Sequence, residues 1–216
     1  MSAFGGPLTI VIWLVFVVAL ALASRQRWPH QKELSRKVIH IGTGAVVPLA
    51  WLFEIPAVIA IPCAAVITLI TAINHQWRLI AAIEDIDRKS YGTIAYGLAI
   101  TVLLVLFWPH RPDAATAGVL VMALGDGLAG LIGRQLKTPQ WIIFEQTKSI
   151  AGTTTMAVVS MLVLLIMSKL TNHAISAPIA IAIASTATGL EQLSVRGIDN
   201  LTVPLAVGLA WSKFIS

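Results

Sequence analysis

Apolar residues in this chain run in long blocks, and the polar positions collect between the blocks and not along one helical face. Residues 8–23 and 102–108 are apolar all round, as in a helix with lipid or protein on every side. Several blocks approach the ~20 residues that carry a helix across a bilayer. The pattern predicts eight spans, at residues 7–24, 38–53, 55–73, 94–108, 114–133, 153–168, 174–190 and 201–215. Glu54-Ile55-Pro56 and the stretches 74–93, 108–113, 134–152, 169–173 and 191–200 separate them. The expected fold is an all-α, polytopic membrane bundle of about eight transmembrane helices, or seven, in one domain spanning residues 1–216.

Composition agrees: 57% of the 216 residues are hydrophobic and 12% are charged, with a mean hydropathy of +0.84. The first block has no Lys or Arg before it, and its first basic residue, Arg25, follows it. It therefore reads as a retained helix and not as a cleaved signal. The single cysteine, Cys63, excludes an internal disulfide and reads as a small packing residue. Trp13, Trp51, Trp77, Trp108, Trp141 and Trp211 fall near span ends or in loops, where interfacial anchors are expected.

Charge then sets the orientation. Twelve of the fifteen Lys and Arg residues lie in loops after odd-numbered spans; only Arg111, Lys169 and Lys213 lie opposite. The positive-inside rule places the odd loops in the cytoplasm and both termini outside it. Eight of the ten acids share that face, with Glu54 and Asp113 opposite. The rule does not require this, so a polar site at the cytoplasmic surface is expected. The net charge of +5 favours anionic lipid or phosphate there.

Asp126 is the leading candidate, because it sits inside an apolar block between Gly125 and Gly127, followed by Gly130, Gly133 and Arg134. A carboxylate there costs about 2.5–3.5 kcal/mol on insertion scales. Small-residue packing explains the glycines. It does not explain Asp126, which calls for a metal, a cation or a polar cavity.

Four further clusters map to the same face. Arg36, Lys37 and His40 enter the second span with Gly42 and Gly44; Lys37, His40 and Gly44 share a helical face. Arg88-Lys89-Ser90-Tyr91-Gly92-Thr93 precedes the fourth, after the acidic run at 84–87. Gly92 among hydroxyls there suggests a phosphate-contacting turn.

Lys148-Ser149-Ile150-Ala151-Gly152-Thr153 opens the sixth span and offers a point charge, hydroxyl donors and free N–H groups to phosphate. It lacks the order of a P-loop, and no strand is expected before it. Glu191, Asp199 and Asn200 flank Gly197 before the last span and supply hard oxygen ligands. Together these residues predict a membrane enzyme that handles a nucleotide or phosphate with Mg²⁺.

The five pieces RKVIHIGTG, RKSYGTIAYG, ALGDGLAGLIGR, KSIAGTTT and EQLSVRGIDNLTVPL, in this order, resemble the polyprenol/dolichol kinase and phytol kinase family. That family is related to CTP-dependent diacylglycerol kinases and, more distantly, to phosphatidate cytidylyltransferases. The resemblance covers most of the chain, from Arg36 to Leu205. It implies phosphoryl transfer from CTP, or another nucleoside triphosphate, to an isoprenoid alcohol such as phytol, farnesol or a polyprenol, with Mg²⁺ and no nucleic-acid partner. Ala151 is a departure, since relatives often carry an acid there; any metal must then be held by other groups.

The expected roles follow. Asp126, Asp199 and Asn200 hold Mg²⁺ and position the triphosphate. Lys148 and Arg134 neutralise phosphate oxygens, while Ser149, Gly152 and Thr153 bind them. Lys37 and His40 steady the nucleotide or the transferred group, and Glu191, or Asp126, accepts the alcohol proton. Two enzymatic alternatives remain, a CTP-dependent diacylglycerol kinase and a phosphatidate cytidylyltransferase. A small transporter with Asp126 as its ion site is the alternative from another class.

Overall fold

The structure, a computed structural model, describes residues 5–77, 90–144 and 146–215. Arg78, the acidic run at 84–87, Arg88, Lys89 and Glu145 lie outside them. Each of the eight predicted blocks is helical. In chain order the elements are α1 (Gly5–Arg27), α2 (Lys32–Thr43), α3 (Val46–Leu52), α4 (Ala57–Trp77) and α5 (Gly92–Phe107). There follow α6 (Pro112–Leu120), a π-helical segment (Val121–Asp126), α7 (Gly127–Gln135), the strands β1 (Gln140–Ile143) and β2 (Gln146–Ser149), α8 (Ile150–Thr171), α9 (Ala177–Gln192) and α10 (Asp199–Phe214).

Four helices among the described residues are long and apolar enough to cross a membrane: α1, α4, the continuous run Pro112–Gln135, and α8. With 16 residues each, α5, α9 and α10 reach only about 24 Å, short of the ~30 Å hydrocarbon core. The second predicted span divides into α2 and α3. Gly44 stands at the break, and a Cβ there would collide with that of Ala123. The chain bends where it touches the central helix most closely.

That central helix is the axis of the molecule. Ala114, Ala115, Ala117, Val119, Val121, Met122 and Ala123 are all fully buried. Its small side chains let α5, α8 and α10 close around it. In contrast α1 and α4 are peripheral and expose Val15, Phe16, Val58 and Leu69, as a lipid-facing helix does.

Three expectations are corrected. The all-helical prediction misses the β1–β2 hairpin, in which Gln140 pairs with Ser149 and Ile143 with Gln146. A strand therefore does precede the Lys148 segment. Cys63 lies exposed on α4 and fills no packed site. Finally, Trp108 and Trp211 are buried and not interfacial. Trp108 Nε1 donates to the Ile55 carbonyl at 2.8 Å, and Trp211 Nε1 donates to Asp113 Oδ2 at 2.7 Å. A buried indole N–H needs such a partner.

The face that carries Asp113 holds a polar cluster of its own. Arg111 grips Asp113 through Nε and Nη2, at 3.0 and 2.9 Å. The same guanidinium donates to the carbonyls of Ser212 and Ile215, at 3.2 and 2.8 Å. These carbonyls have no partner within α10, so the pair caps the last helix.

Candidate active site

The π-helical segment ends on Asp126. Its wider turn inserts one residue relative to an α-helix and changes the direction in which the following side chains point. Asp126 thereby meets α2: Lys37 Nζ donates to Asp126 Oδ2 at 2.5 Å and to the Asp126 carbonyl at 3.0 Å. His40 Nε2 lies 3.4 Å from the same Oδ2. Gly130, one turn on, leaves the room this requires, since a Cβ there would stand 2.6 Å from Lys37 Cε.

A second ion pair forms where β2 enters α8. Lys148 Nζ donates to Glu191 Oε1 at 2.5 Å and to the Glu191 carbonyl at 2.7 Å. The other carboxylate oxygen, Oε2, accepts from Gln192 Nε2 at 2.7 Å, and that amide also donates to Thr153 Oγ1 at 2.9 Å. Glu191 is thus fixed from both sides.

The turn between α9 and α10 brings the third group. Arg196 and Gly197 adopt positive φ, 51° and 87°. Gly197 packs directly on Gly92: a Cβ on it would lie 2.7 Å from Gly92 Cα. Tyr91 N donates to the Arg196 carbonyl at 2.9 Å, and Asn200 Nδ2 donates to the Gly92 carbonyl at 2.9 Å. Gly92 is therefore a docking point for this turn and not the expected phosphate-contacting loop.

These elements enclose a cavity of about 390 Å³, lined by Arg36, Lys37, Asp126, Lys148, Glu191, Gln192, Asp199 and Asn200 among others. Oxygens of Asp126, Glu191 and Asp199 lie within 4.8 Å of one another. Asp199 Oδ1 and Asn200 Oδ1 are buried without a hydrogen-bond partner. A buried oxygen left unpaired is costly, and hard cations are bound by such carboxylate and amide oxygens. The residues present fit a divalent cation of the Mg²⁺ type.

The loop ends carry perturbed acids. Glu191 and Asp199 flank the turn and lie outside the spans at 174–190 and 201–215. Burial raises the Glu191 carboxyl above its ordinary range despite Lys148. Burial, then the neighbouring Asp126, raises that of Asp199. Three carboxyl groups line the cavity with four cations, Lys37, Lys148, Arg36 and Arg134, of which the two arginines also pair with Glu33. The cluster is near balance by itself, so adding a divalent cation leaves positive charge to meet a polyphosphate.

The structure brings Lys37, Asp126, Arg134, Lys148, Ser149, Gly152, Thr153, Glu191, Asp199 and Asn200 to one cavity. His40 is different: it stands behind Asp126, stacked on Tyr96 with ring centroids 4.6 Å apart. The expectation of free N–H groups at the start of α8 is corrected. Those of Ile150, Ala151 and Gly152 donate to Pro139 O, Thr138 Oγ1 and Ser149 Oγ, at 3.1, 3.2 and 3.1 Å. Ser149 caps the helix and also donates to Gly133 O at 3.2 Å.

Sequence reasoning missed Gln192, which gives no signal beyond its place beside Glu191. It also missed the bridge in which Glu33 joins Arg36 at 2.9 Å and Arg134 at 3.1 Å. The three-residue spacing of Glu33 and Arg36 is visible in the sequence, whereas the contact with Arg134 is long-range.

The chain is 38% identical to the phytol kinase of Synechocystis over 184 residues, 83% of this chain and 79% of that protein. The chain belongs to the phytol kinase family. Phytol kinase 1, chloroplastic, of Arabidopsis thaliana is 28% identical over 202 residues, covering 83% of this chain and 66% of its own. The farnesol kinase, chloroplastic, of the same plant is 28% identical over 142 residues, 58% of this chain and 44% of its own. The chain thus spans about two thirds of the length of the plant phytol kinase. No family model matches the chain, and no solved structure matches it.

Proposed function

We infer that this protein is a membrane phosphotransferase that moves the terminal phosphoryl group of a nucleoside triphosphate to the hydroxyl of an isoprenoid alcohol. Membership of the phytol kinase family supports the alcohol acceptor, phytol and farnesol being the substrates its relatives are named for. The observation that carries the reading is the meeting of three carboxylates with Lys37, Lys148 and Arg36 in one cavity. CTP is the donor we favour, on the motif resemblance.

Asp126, Asp199 and Asn200, with Glu191 beside them, would hold Mg²⁺, which supplies charge neutralisation at the phosphate oxygens. Lys37 and Lys148 release part of their hold on the carboxylates to meet the triphosphate, and Arg36 and Arg134 draw it in. Glu191, oriented by Gln192, takes the alcohol proton as the oxygen attacks the terminal phosphorus and the nucleoside diphosphate leaves. Thr153 is tied to Gln192 and acts through it, and Ser149 and Gly152 shape the cavity wall. His40 orients Asp126.

The charge distribution supports a single membrane-embedded kinase domain of eight spans, with the site on the cytoplasmic face and both termini opposite. The alcohol then presents its hydroxyl at the interface while its tail stays among apolar helices. The test offers labelled CTP, ATP, GTP and UTP with phytol, farnesol, a long polyprenol and diacylglycerol, in membranes holding the protein. Alcohol phosphate with nucleoside diphosphate release, lost in Asp126→Asn, is the expected result. Pyrophosphate release would assign nucleotidyl transfer in its place.

A further inference from the structure

The helices that close the polar cavity also form a second one. Between α9 and α10 lies an apolar groove of about 290 Å³, whose lining includes Ile179, Ile183, Thr186, Ala206, Ala210 and Phe214. We propose that this groove holds the isoprenoid tail of the alcohol and measures its length, a proposal that rests on the reaction inferred above.

The two cavities have no lining residue in common, but α9 and α10 contribute to both. Glu191 lies at the end of α9 and Asp199 at the start of α10, so both helices run from the polar site toward the groove. On α10, Ala206, Ala210 and Phe214 follow Asp199 by seven, eleven and fifteen residues, spacings that keep them close to one helical face. Two small side chains leave the trough, and Phe214 stands at its far end. On α9, Thr186 is the nearest groove residue to Glu191, about 8 Å along the axis. From Asp199 to Phe214 is about 22 Å, the order of an extended diterpenoid.

The occupant follows from the same geometry. A hydroxyl bound at Glu191 or Asp199 must send its chain away from the charged cavity, and the groove lining is apolar except for Thr186. Thr186 already donates its hydroxyl to the Ala182 carbonyl at 2.8 Å, so it adds little polarity. A branched prenyl chain gains by filling a trough of alanines and isoleucines, each buried methylene contributing about 0.8 kcal/mol.

The experiment measures phosphorylation of geraniol, farnesol, geranylgeraniol and phytol by wild type, Ala206→Phe, Ala210→Phe and Phe214→Ala. Ala210→Phe lies about 16 Å from Asp199 and should raise KM at least about tenfold for the C20 alcohols. It should leave geraniol within about twofold. Ala206→Phe, closer to the site, should also impair farnesol, and Phe214→Ala should gain activity on longer prenols. Thermal melts confirm that each variant is folded.

A C20 alcohol with a diazirine at its tail reads occupancy without turnover. Labelling of peptides holding Ala210 and Phe214 supports the groove even if wild type phosphorylates none of the alcohols, which would remove only the reaction reading. Labelling elsewhere, or equal KM changes at every chain length, overturns the groove and leaves a boundary phospholipid as its occupant.

Discussion

Lys37 and Asp126 stand 89 residues apart in sequence and meet at 2.5 Å between Nζ and Oδ2. The lysine also holds the backbone carbonyl of the same aspartate at 3.0 Å. A charge in this setting is tolerated because its partner is present, and removing one partner strands the other at about 3–5 kcal/mol. Asp126→Asn should therefore lower kcat/KM by at least about 100-fold and also lower the melting temperature in detergent. Lys37→Met should do the same. The double variant Lys37→Met, Asp126→Leu should regain most of the stability and none of the activity. A double variant as unstable as the singles would mean that the pair is not coupled.

Gly130 gives a subtler test of the same contact. A methyl group there would stand 2.6 Å from Lys37 Cε and 3.0 Å from Nζ, so the flexible lysine must move off Asp126. Gly130→Ala should keep the protein folded, since alanine favours helix by about 1 kcal/mol over glycine. Its turnover should fall about tenfold or more. Activity and melting measured side by side check this; equal activity would show that the lysine's position is not critical.

Divalent cation binding is expected to centre on the unpartnered oxygens. Asp199→Asn and Asn200→Ala should each raise the Mg²⁺ concentration for half-maximal activity by about tenfold. Removing divalent ions with a chelator should stop turnover reversibly. A magnesium titration of both variants suffices, and unchanged curves would move the metal away from this turn.

The face that carries Asp113 should behave otherwise. Asp113 takes hydrogen bonds from Arg111 and from the buried Trp211. Trp211→Phe removes one of the donors to Asp113 Oδ2, with Arg111 Nη2 still in place, and should cost about 1.5–3 kcal/mol as a lost hydrogen bond to a charged group, seen as a lower melting temperature. Turnover per folded molecule should stay within about twofold of wild type, because no part of this clasp lines the polar cavity.

Much of this is legible in the sequence. Block lengths place a helix at each predicted block, because uninterrupted apolar runs leave the backbone few other choices in lipid, but they miss that α2 starts as early as Lys32 and that the chain breaks at Gly44. Asp126 was conspicuous for the same reason, a carboxylate where none is affordable without a partner. The hairpin was not legible, because Trp141-Ile142-Ile143-Phe144 is short and its strand pairing depends on the chain beyond it. Nor was the role of Trp211, since the position of a tryptophan near a span end does not tell whether its indole faces lipid or Asp113. Ala151 is a case where the sequence posed a question that three dimensions can answer. The acid that the family resemblance leads one to expect at Ala151 has a counterpart in Glu191, which reaches Lys148 from a distant helix.

The π-helical segment from Val121 to Asp126 has a consequence for how the gene can drift. Deleting one residue within it would restore a regular α-helix, locally the better hydrogen-bonded form. The same deletion would rotate everything downstream by about 100°, turning Gly130 away from Lys37, Gly133 away from Ser149 and Arg134 away from Glu33. A shorter helix would thus be a sounder helix and a ruined catalyst. The extra residue is held in place by what happens outside the helix.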